Sequence, residues 1–219
     1  MLNNSDARGA VAPIVEPVAR GLLRMRVTPD MVTLTGTTLT VITALVLIPQ
    51  GRFVPAVILL FIFTSADVLD GTMARLSGTQ GPWGAWFDAT LDRVADGAVF
   101  GGVLIWAAWQ RDVPTAFLAT ATTVLAWVCL VGGTVVSYAK ARAEAVGATA
   151  NGGIAERAER MIILGVGAIL YQFVNWGMTV AVAILAVLTT ITVFQRGLDV
   201  RRQLKPLNGQ QPDASDAKQ

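Results

Sequence analysis

Apolar runs of about twenty residues recur along this chain, and no other feature restricts its fold so strongly. A helix needs about 20 apolar residues to cross a hydrocarbon core about 30 Å thick, and inside that core it satisfies its own backbone. Hydropathy predicts spans over residues 31–50, 54–76, 84–109, 113–139, 160–175 and 177–195. The expected fold is therefore an all-α integral membrane protein with six transmembrane helices. Before the first span, Val11, Ile14, Val15, Val18, Leu22 and Leu23 stand against Arg20, Arg24 and Arg26, a pattern that predicts an interfacial amphipathic helix over 11–26. The N-terminal residues lack the basic, apolar and small-residue series of a cleaved signal, so the mature chain is expected to start near Met1.

Charge orients this arrangement. Of 17 Lys and Arg residues, only Arg52 and Arg111 fall in the connections after spans one and three. The rest lie at the termini, in the connections after spans two and four, or in adjoining span ends, which puts both termini and any active face in the cytoplasm. Three segments are expected: an N-terminal segment over 1–29, a six-helix domain over 30–205, and a polar, disordered cytosolic tail over 206–219. Histidine is absent and Cys129 is the lone cysteine, which excludes disulfide frameworks, Cys/His zinc clusters and histidine-activated nucleophiles. Cys129 lies in an apolar run and reads as a small buried hydrophobe. Chemistry is left to carboxylates, Lys, Arg, hydroxyls or a hard metal.

One span ends in "SADVLDGTMARL", residues 65–76, with two aspartates and an arginine. Counted from Val54 at 1.5 Å per residue, Asp67 lies about 20 Å along the helix, near the cytosolic headgroups. Helical spacing puts Asp67, Asp70, Gly71 and Ala74 on one face with Arg75 beside it. The next span repeats the pattern in "GAWFDATLDRVADG", where Gly84, Asp88 and Asp92 recur every four residues. The short connection between the two predicts antiparallel neighbours with four carboxylates converging at similar depth. Four ionised aspartates in apolar surroundings would cost on the order of 10 kcal/mol on insertion scales. One arginine cannot balance them, whereas two divalent cations can, and an all-carboxylate shell favours Mg²⁺, with Mn²⁺ also suited. The competing readings are solvated or ion-paired helix ends, glycines that serve helix packing, and a divalent-cation or proton transporter built on the same acids.

The whole stretch 67–92 reads Asp-x2-Asp-Gly-x2-Ala-Arg and then, after eight residues, Gly-x3-Asp-x3-Asp. This pattern resembles the signature of the CDP-alcohol phosphotransferases without departure. "TPDMVTLTG", residues 28–36, is similar to the Thr-Pro-Asn-x-x-Thr stretch that opens the first span in that family, with Asp30 in place of Asn. The resemblance implies transfer of the phosphatidyl group of CDP-diacylglycerol to an alcohol, with release of CMP. It implies two metals, one held by Asp67, Asp70 and Asp88 and a second held or adjoined by Asp67, Asp88 and Asp92. Asp92 would be the general base. Asp30, Met31, Val32, Thr33, Gly71, Ala74, Arg75, Thr79 and Gly81 would lie against the CDP-diacylglycerol. A homodimer in the cell membrane is also implied, and no nucleic-acid partner. Gly-x2-Ala-Arg has no part in transport, which separates this reading from the transporter.

The acceptor is argued from basic residues after span four, "SYAKARAEAVG" (137–147) and, past a flexible "ATANGG", "ERAER" (156–160), with Arg196 and Arg201 after the last span. Each could be ordinary positive-inside charge; together they suit a phosphorylated, water-soluble acceptor. These stretches resemble the actinobacterial phosphatidylinositol phosphate synthases, whose acceptor is myo-inositol 3-phosphate. In that subgroup Ser137, Lys140, Arg160 and Arg196 would hold the inositol phosphate, with Arg157 and Arg201 as substitutes. The same chemistry with glycerol 3-phosphate as acceptor stands as the alternative.

Overall fold

A computed structural model describes residues 4–109, 116–150, 152–154 and 157–205, and all regular structure in them is helical. The helices are α1 (Asn4–Arg24), α2 (Pro29–Leu47), α3 (Phe53–Thr64), α4 (Ala66–Ser77), α5 (Pro82–Trp109), α6 (Ala116–Ala145), α7 (Arg157–Leu170) and α8 (Gly177–Leu204). The chain forms two compact units, Met1–Trp109 and Gln110–Gln219. The expected tail over 206–219, Arg111, and the side chains of Val11 and Ile14 lie outside the described residues.

Four segments are long and apolar enough to cross a membrane: Pro29–Leu47, Phe53–Ser77, Ala116–Ala145 and Gly177–Leu204. The second of these joins α3 and α4, which only Ser65 separates. The expected third span is α5, whose 28 residues suffice in length but which carries Asp88, Asp92, Arg93 and Asp96. The expected fifth span corresponds to α7, whose 14 residues make a rod of about 21 Å, shorter than a hydrocarbon core.

In the first unit α2 is the central post. Thr28 caps it, accepting from the Met31 N–H at 3.3 Å. Pro29 sits in the first turn, where no backbone donor is needed, and Asp30 lies at the positive end of the helix dipole. Its buried residues, Thr33, Gly36, Thr40, Thr43 and Ala44, form a stripe at helical spacing made of small side chains, the usual means of close helix approach in membranes. A Cβ on Gly36 would lie 3.2 Å from the Phe63 carbonyl, so the α3–α4 joint rests directly on α2. At that joint Thr64 and Ser65 return their hydroxyls to the Leu60 and Phe61 carbonyls, each at 2.7 Å, a bond pattern that bends helices. On another side of α2 a Cβ on Gly102 of α5 would lie 2.6 Å from the Ala44 carbonyl. Phe53 and Trp106 meet edge to face at 5.0 Å.

Among the described residues α4 and α5 both pack on α2 but not on one another. Gly71, Ala74 and Gly84 lack the side chains that would fill the space between the two helices, and a gap remains.

The second unit repeats the plan with α8 as its post, packed by α6 and α7. Thr122 and Thr179 share a hydrogen bond of 2.7 Å between α6 and α8. Cys129 is fully buried and its thiol donates to the Val182 carbonyl at 3.3 Å, in keeping with its expected packing role. The α6–α7 connection, expected to be flexible, is instead tied to α8. Thr149 donates its N–H to Gln203 Oε1 at 2.8 Å and its carbonyl accepts from Gln203 Nε2 at 2.6 Å. Arg196 Nε donates to the Gly152 carbonyl at 3.0 Å, and the Ile154 N–H donates to Thr192 at 3.2 Å. Ala148 and Ala150 of this strap pack with Ala143 against Val200 and Leu204. Composition alone did not reveal it, because the partners lie about 40 to 55 residues away on α8.

Candidate metal and nucleotide site

Asp67 and Asp70 project from α4 and Asp88 from α5, and one carboxylate oxygen of each lies within 4.8 Å of the others. Asp70 is 8% exposed. It accepts from the Thr33 hydroxyl at 2.5 Å, and that hydroxyl also lies 3.1 Å from the Pro29 carbonyl. A hydroxyl has one proton to give, and the shorter contact to a carboxylate takes it. The capped first turn of α2 thereby fixes the deepest aspartate of the cluster.

Oxygens on opposite sides of a Mg²⁺-sized cation stand about 4.2 Å apart, twice a bond of about 2.1 Å. Three oxygens within 4.8 Å therefore need only small side-chain adjustments to close on one hard cation. Arg75 does not neutralise them: it donates to Thr72 Oγ1 at 2.8 Å, and among the described residues it forms no ion pair with a carboxylate. The donor set, oxygen only and partly buried, suits Mg²⁺ or Mn²⁺.

Asp92 stands apart from this trio. Four residues advance a helix by about 400°, a drift of about 40° per step, so the Gly84, Asp88, Asp92 series rotates off its starting face. The Asp92 carboxylate lies 3.5 Å from Arg93, which also approaches Asp96 at 3.8 Å. Asp96 is buried and was not singled out from sequence; the Asp-Arg-x-x-Asp spacing over 92–96 was the available signal.

The gap between α4 and α5 is an open cavity of about 600 Å³. Among its walls are the expected Asp30, Thr33, Gly71, Ala74, Arg75, Thr79 and Gly81, together with Asp67, Asp70 and Asp88. Met31 and Val32 are not brought to it; Met31 is exposed and Val32 half-buried. A Cβ on Gly84 or Gly81 would meet nothing within 4 Å, and one on Gly71 only Arg75 Nη1 at 3.9 Å. These glycines leave cavity space open, unlike Gly36 and Gly102, which allow helices to touch. The packing alternative is thus met by other glycines. Gly78, at φ +69°, ends α4 in the left-handed conformation and starts the loop that carries Thr79, Gln80 and Gly81 along the cavity. Sequence reasoning missed Trp83, which lines the cavity and donates its indole N–H to Asp30 at 3.0 Å.

The second unit gathers the expected basic residues. Arg160 is 1% exposed and its guanidinium lies against Gly133, 3.7 Å from where a Cβ would stand. Ser137, one turn beyond Gly133, donates to its carbonyl at 3.2 Å, and Lys140 is exposed on the following turn. Arg157, half-buried, opens α7. Arg196, 4% exposed, donates to the Val136 carbonyl at 2.6 Å besides its bond to Gly152. Arg201 is exposed in the last turns of α8.

Comparison with known proteins places this geometry. The family described as CDP-alcohol phosphatidyltransferase matches residues 26–192. A phosphatidylinositol phosphate synthase of Mycolicibacterium smegmatis is 42% identical over 219 residues, covering 95% of this chain and 96% of the relative. Another of that name from Mycobacterium marinum is 47% identical over 195 residues, 87% of this chain and 80% of the relative. The crystal structure of the Mycobacterium tuberculosis phosphatidylinositol phosphate synthase with CDP-DAG bound aligns with a TM-score of 0.79 at 45% identity, over 87% of this chain and 94% of that one. The same enzyme with manganese and citrate aligns with a TM-score of 0.76 at 45% identity, over 84% and 87% of the two chains.

Proposed function

The chain belongs to the CDP-alcohol phosphatidyltransferase family, and on that premise we propose that it transfers the phosphatidyl group of CDP-diacylglycerol to myo-inositol 3-phosphate, releasing CMP. The observation that carries this reading is the aspartate trio beside a cavity whose glycines leave space and whose arginine is not consumed by the acids. The names of the relatives at 42% and 47% identity support the acceptor.

Asp67, Asp70 and Asp88 hold divalent cation, Mg²⁺ or Mn²⁺, with Asp92 adjoining a second ion. The bound metal neutralises charge on the diphosphate and on the departing CMP. Thr33 keeps the Asp70 carboxylate in one orientation. Arg75, steadied by Thr72, faces the donor phosphates, and Gly71, Ala74, Thr79 and Gly81 make room for the nucleotide. Asp92 takes the proton of the acceptor hydroxyl as its oxygen attacks the phosphatidyl phosphorus and the phosphoanhydride bond to CMP breaks. Ser137, Lys140, Arg157, Arg160 and Arg196 bind the acceptor phosphate.

The proposal includes six membrane crossings, with α5 as the third and α7 at the fifth, an interfacial α1, cytosolic termini and active site, and a homodimer. The lipid tails stay in the bilayer while the diphosphate reacts at headgroup depth.

The test is CMP release by the purified protein in CDP-diacylglycerol vesicles with each acceptor. Turnover with inositol phosphate and not with glycerol 3-phosphate is expected. Turnover with glycerol 3-phosphate alone would move the enzyme to phosphatidylglycerophosphate synthesis. Lys140→Ala is expected to raise the acceptor KM with little change in the donor KM.

A further inference from the structure

The side chains of α1 divide by helical spacing into two faces. On one, Ala19 is fully buried and Val15, Leu22 and Leu23 are half-buried, and α4 is the helix on which α1 packs. The other is an open groove of about 430 Å³ lined by Pro13, Glu16, Pro17, Arg20, Gly21 and Arg24. Its floor is bare: a Cβ on Gly21 would meet nothing within 4 Å, and Pro17 has no N–H to give the Pro13 carbonyl. Arg20 reaches Glu16 at 3.2 Å, but both side chains are open to solvent and such a pair is weak. Arg24 and Arg26 are exposed, and among the described residues their side chains bond to no protein group.

Arg26 also sits where glycine is the ordinary occupant. The Val27 N–H returns to the Leu22 carbonyl at 3.1 Å and the Arg26 N–H to the Leu23 carbonyl at 3.0 Å. That closure puts residue 26 in the left-handed backbone, φ +61°, which an arginine adopts at a cost and a glycine does not. The helix dipole favours a cation in the last turn, but Arg20 lies outside it.

We propose that this groove binds the phosphate of an anionic phospholipid, held between Arg20 and Arg24 with Arg26 beside them. The inference rests on the interfacial placement of α1 proposed above, not on the reaction. Arg20 and Arg24 lie one turn apart, about 6 Å along the axis, close enough for two guanidinia to grip one phosphate. A zwitterionic headgroup brings its own cation against them, and an anionic one does not. Glu16 holds Arg20 until the phosphate takes its place, so it competes with the lipid. Because α1 packs on α4, which carries Asp67 and Asp70, a lipid bound here ties the charge of the leaflet to the helix of the aspartates.

The test is native mass spectrometry of the full-length protein in detergent, titrated with phosphatidylglycerol or phosphatidylcholine and read at the first lipid adduct. No donor or acceptor is present, so the result stands apart from any failure of the synthase reading. Wild type is expected to bind phosphatidylglycerol at least about tenfold more tightly, since each basic residue at a membrane surface contributes about fivefold. Arg20→Gln combined with Arg24→Gln brings the two lipids within about twofold of one another. Glu16→Gln acts in the opposite direction and tightens phosphatidylglycerol by about two- to fivefold. Arg26→Gly raises the thermal transition yet weakens phosphatidylglycerol. Arg202→Gln, which removes an exposed cation from the end of α8, leaves the ratio unchanged. A ratio near one in the wild type, a wild-type ratio kept by the double variant, or an equal loss in Arg202→Gln overturns the proposal. Should the double variant lose its thermal transition, Glu16→Gln decides alone: tighter phosphatidylglycerol supports the groove and unchanged binding overturns it. A nitroxide on V18C checks the placement, because Val18 is exposed and Cys129 is buried. A label at the lipid interface with no phosphatidylglycerol preference sinks the groove alone, and a label in bulk water sinks the placement and the groove with it.

Discussion

The two units share a plan, a central helix with small residues on which others pack, yet they use charge in opposite ways. In the first, α2 packs against both α4 and α5, and three carboxylates face a cavity in which Arg75 bonds to Thr72 and not to them. In the second, α8 draws its neighbours together, and Arg196 sinks its guanidinium into the Val136 and Gly152 carbonyls. Charge facing open space is available to a ligand, whereas charge bonded to backbone also holds the fold. The aspartates of the first unit are therefore expected to matter for turnover more than for stability, and Arg196 of the second for both.

Asp70→Asn puts that contrast under the largest strain. It is expected to lower CMP release by on the order of a thousandfold, the scale of removing a principal electrostatic group, while the thermal transition holds or rises. A large fall in stability with residual turnover would erase the difference between the units. Arg196→Met is the converse: loss of its charged hydrogen bonds to Val136 and Gly152 is expected to destabilise the protein by about 3 kcal/mol, with CDP affinity unchanged. Thermal unfolding and CDP titration of one preparation check both halves. Thr33→Val keeps shape and removes the donor to Asp70; a loss of about 10- to 100-fold in metal affinity is expected, as for other partners of metal ligands. Smallest is a pair of glycine substitutions. Gly102→Ala, forced against the Ala44 carbonyl, costs about 1–3 kcal/mol. Gly84→Ala leaves unfolding unchanged and raises the donor KM. Equal effects on stability would show that Gly84 packs as Gly102 does.

Much of this was legible in the sequence because helical spacing is local. Asp67, Asp70, Gly71, Ala74 and Arg75 reach the cavity together because they lie within nine residues of one helix. What escaped was non-local or cumulative. The gap between α4 and α5 depends on α2 standing against both. The bond from Trp83 to Asp30 joins residues 53 apart. The strap on the α6–α7 connection needs Gln203 and Arg196 from far downstream. A four-residue repeat also drifts on a 3.6-residue helix, and Asp92 is not among the three carboxylates gathered at the cavity. The fifth apolar stretch ends as a helix of 14 residues, followed by turns before α8.

The central claim is that Asp67, Asp70 and Asp88 form a cation site on which donor turnover depends. The most direct measurement is Mn²⁺ binding by electron paramagnetic resonance to the full-length protein, with wild type and Asp70→Asn compared beside their CMP release. The account predicts tight Mn²⁺ uptake by the wild type, lost together with turnover in the variant. Undiminished Mn²⁺ binding by a folded Asp70→Asn protein that still releases CMP would contradict it.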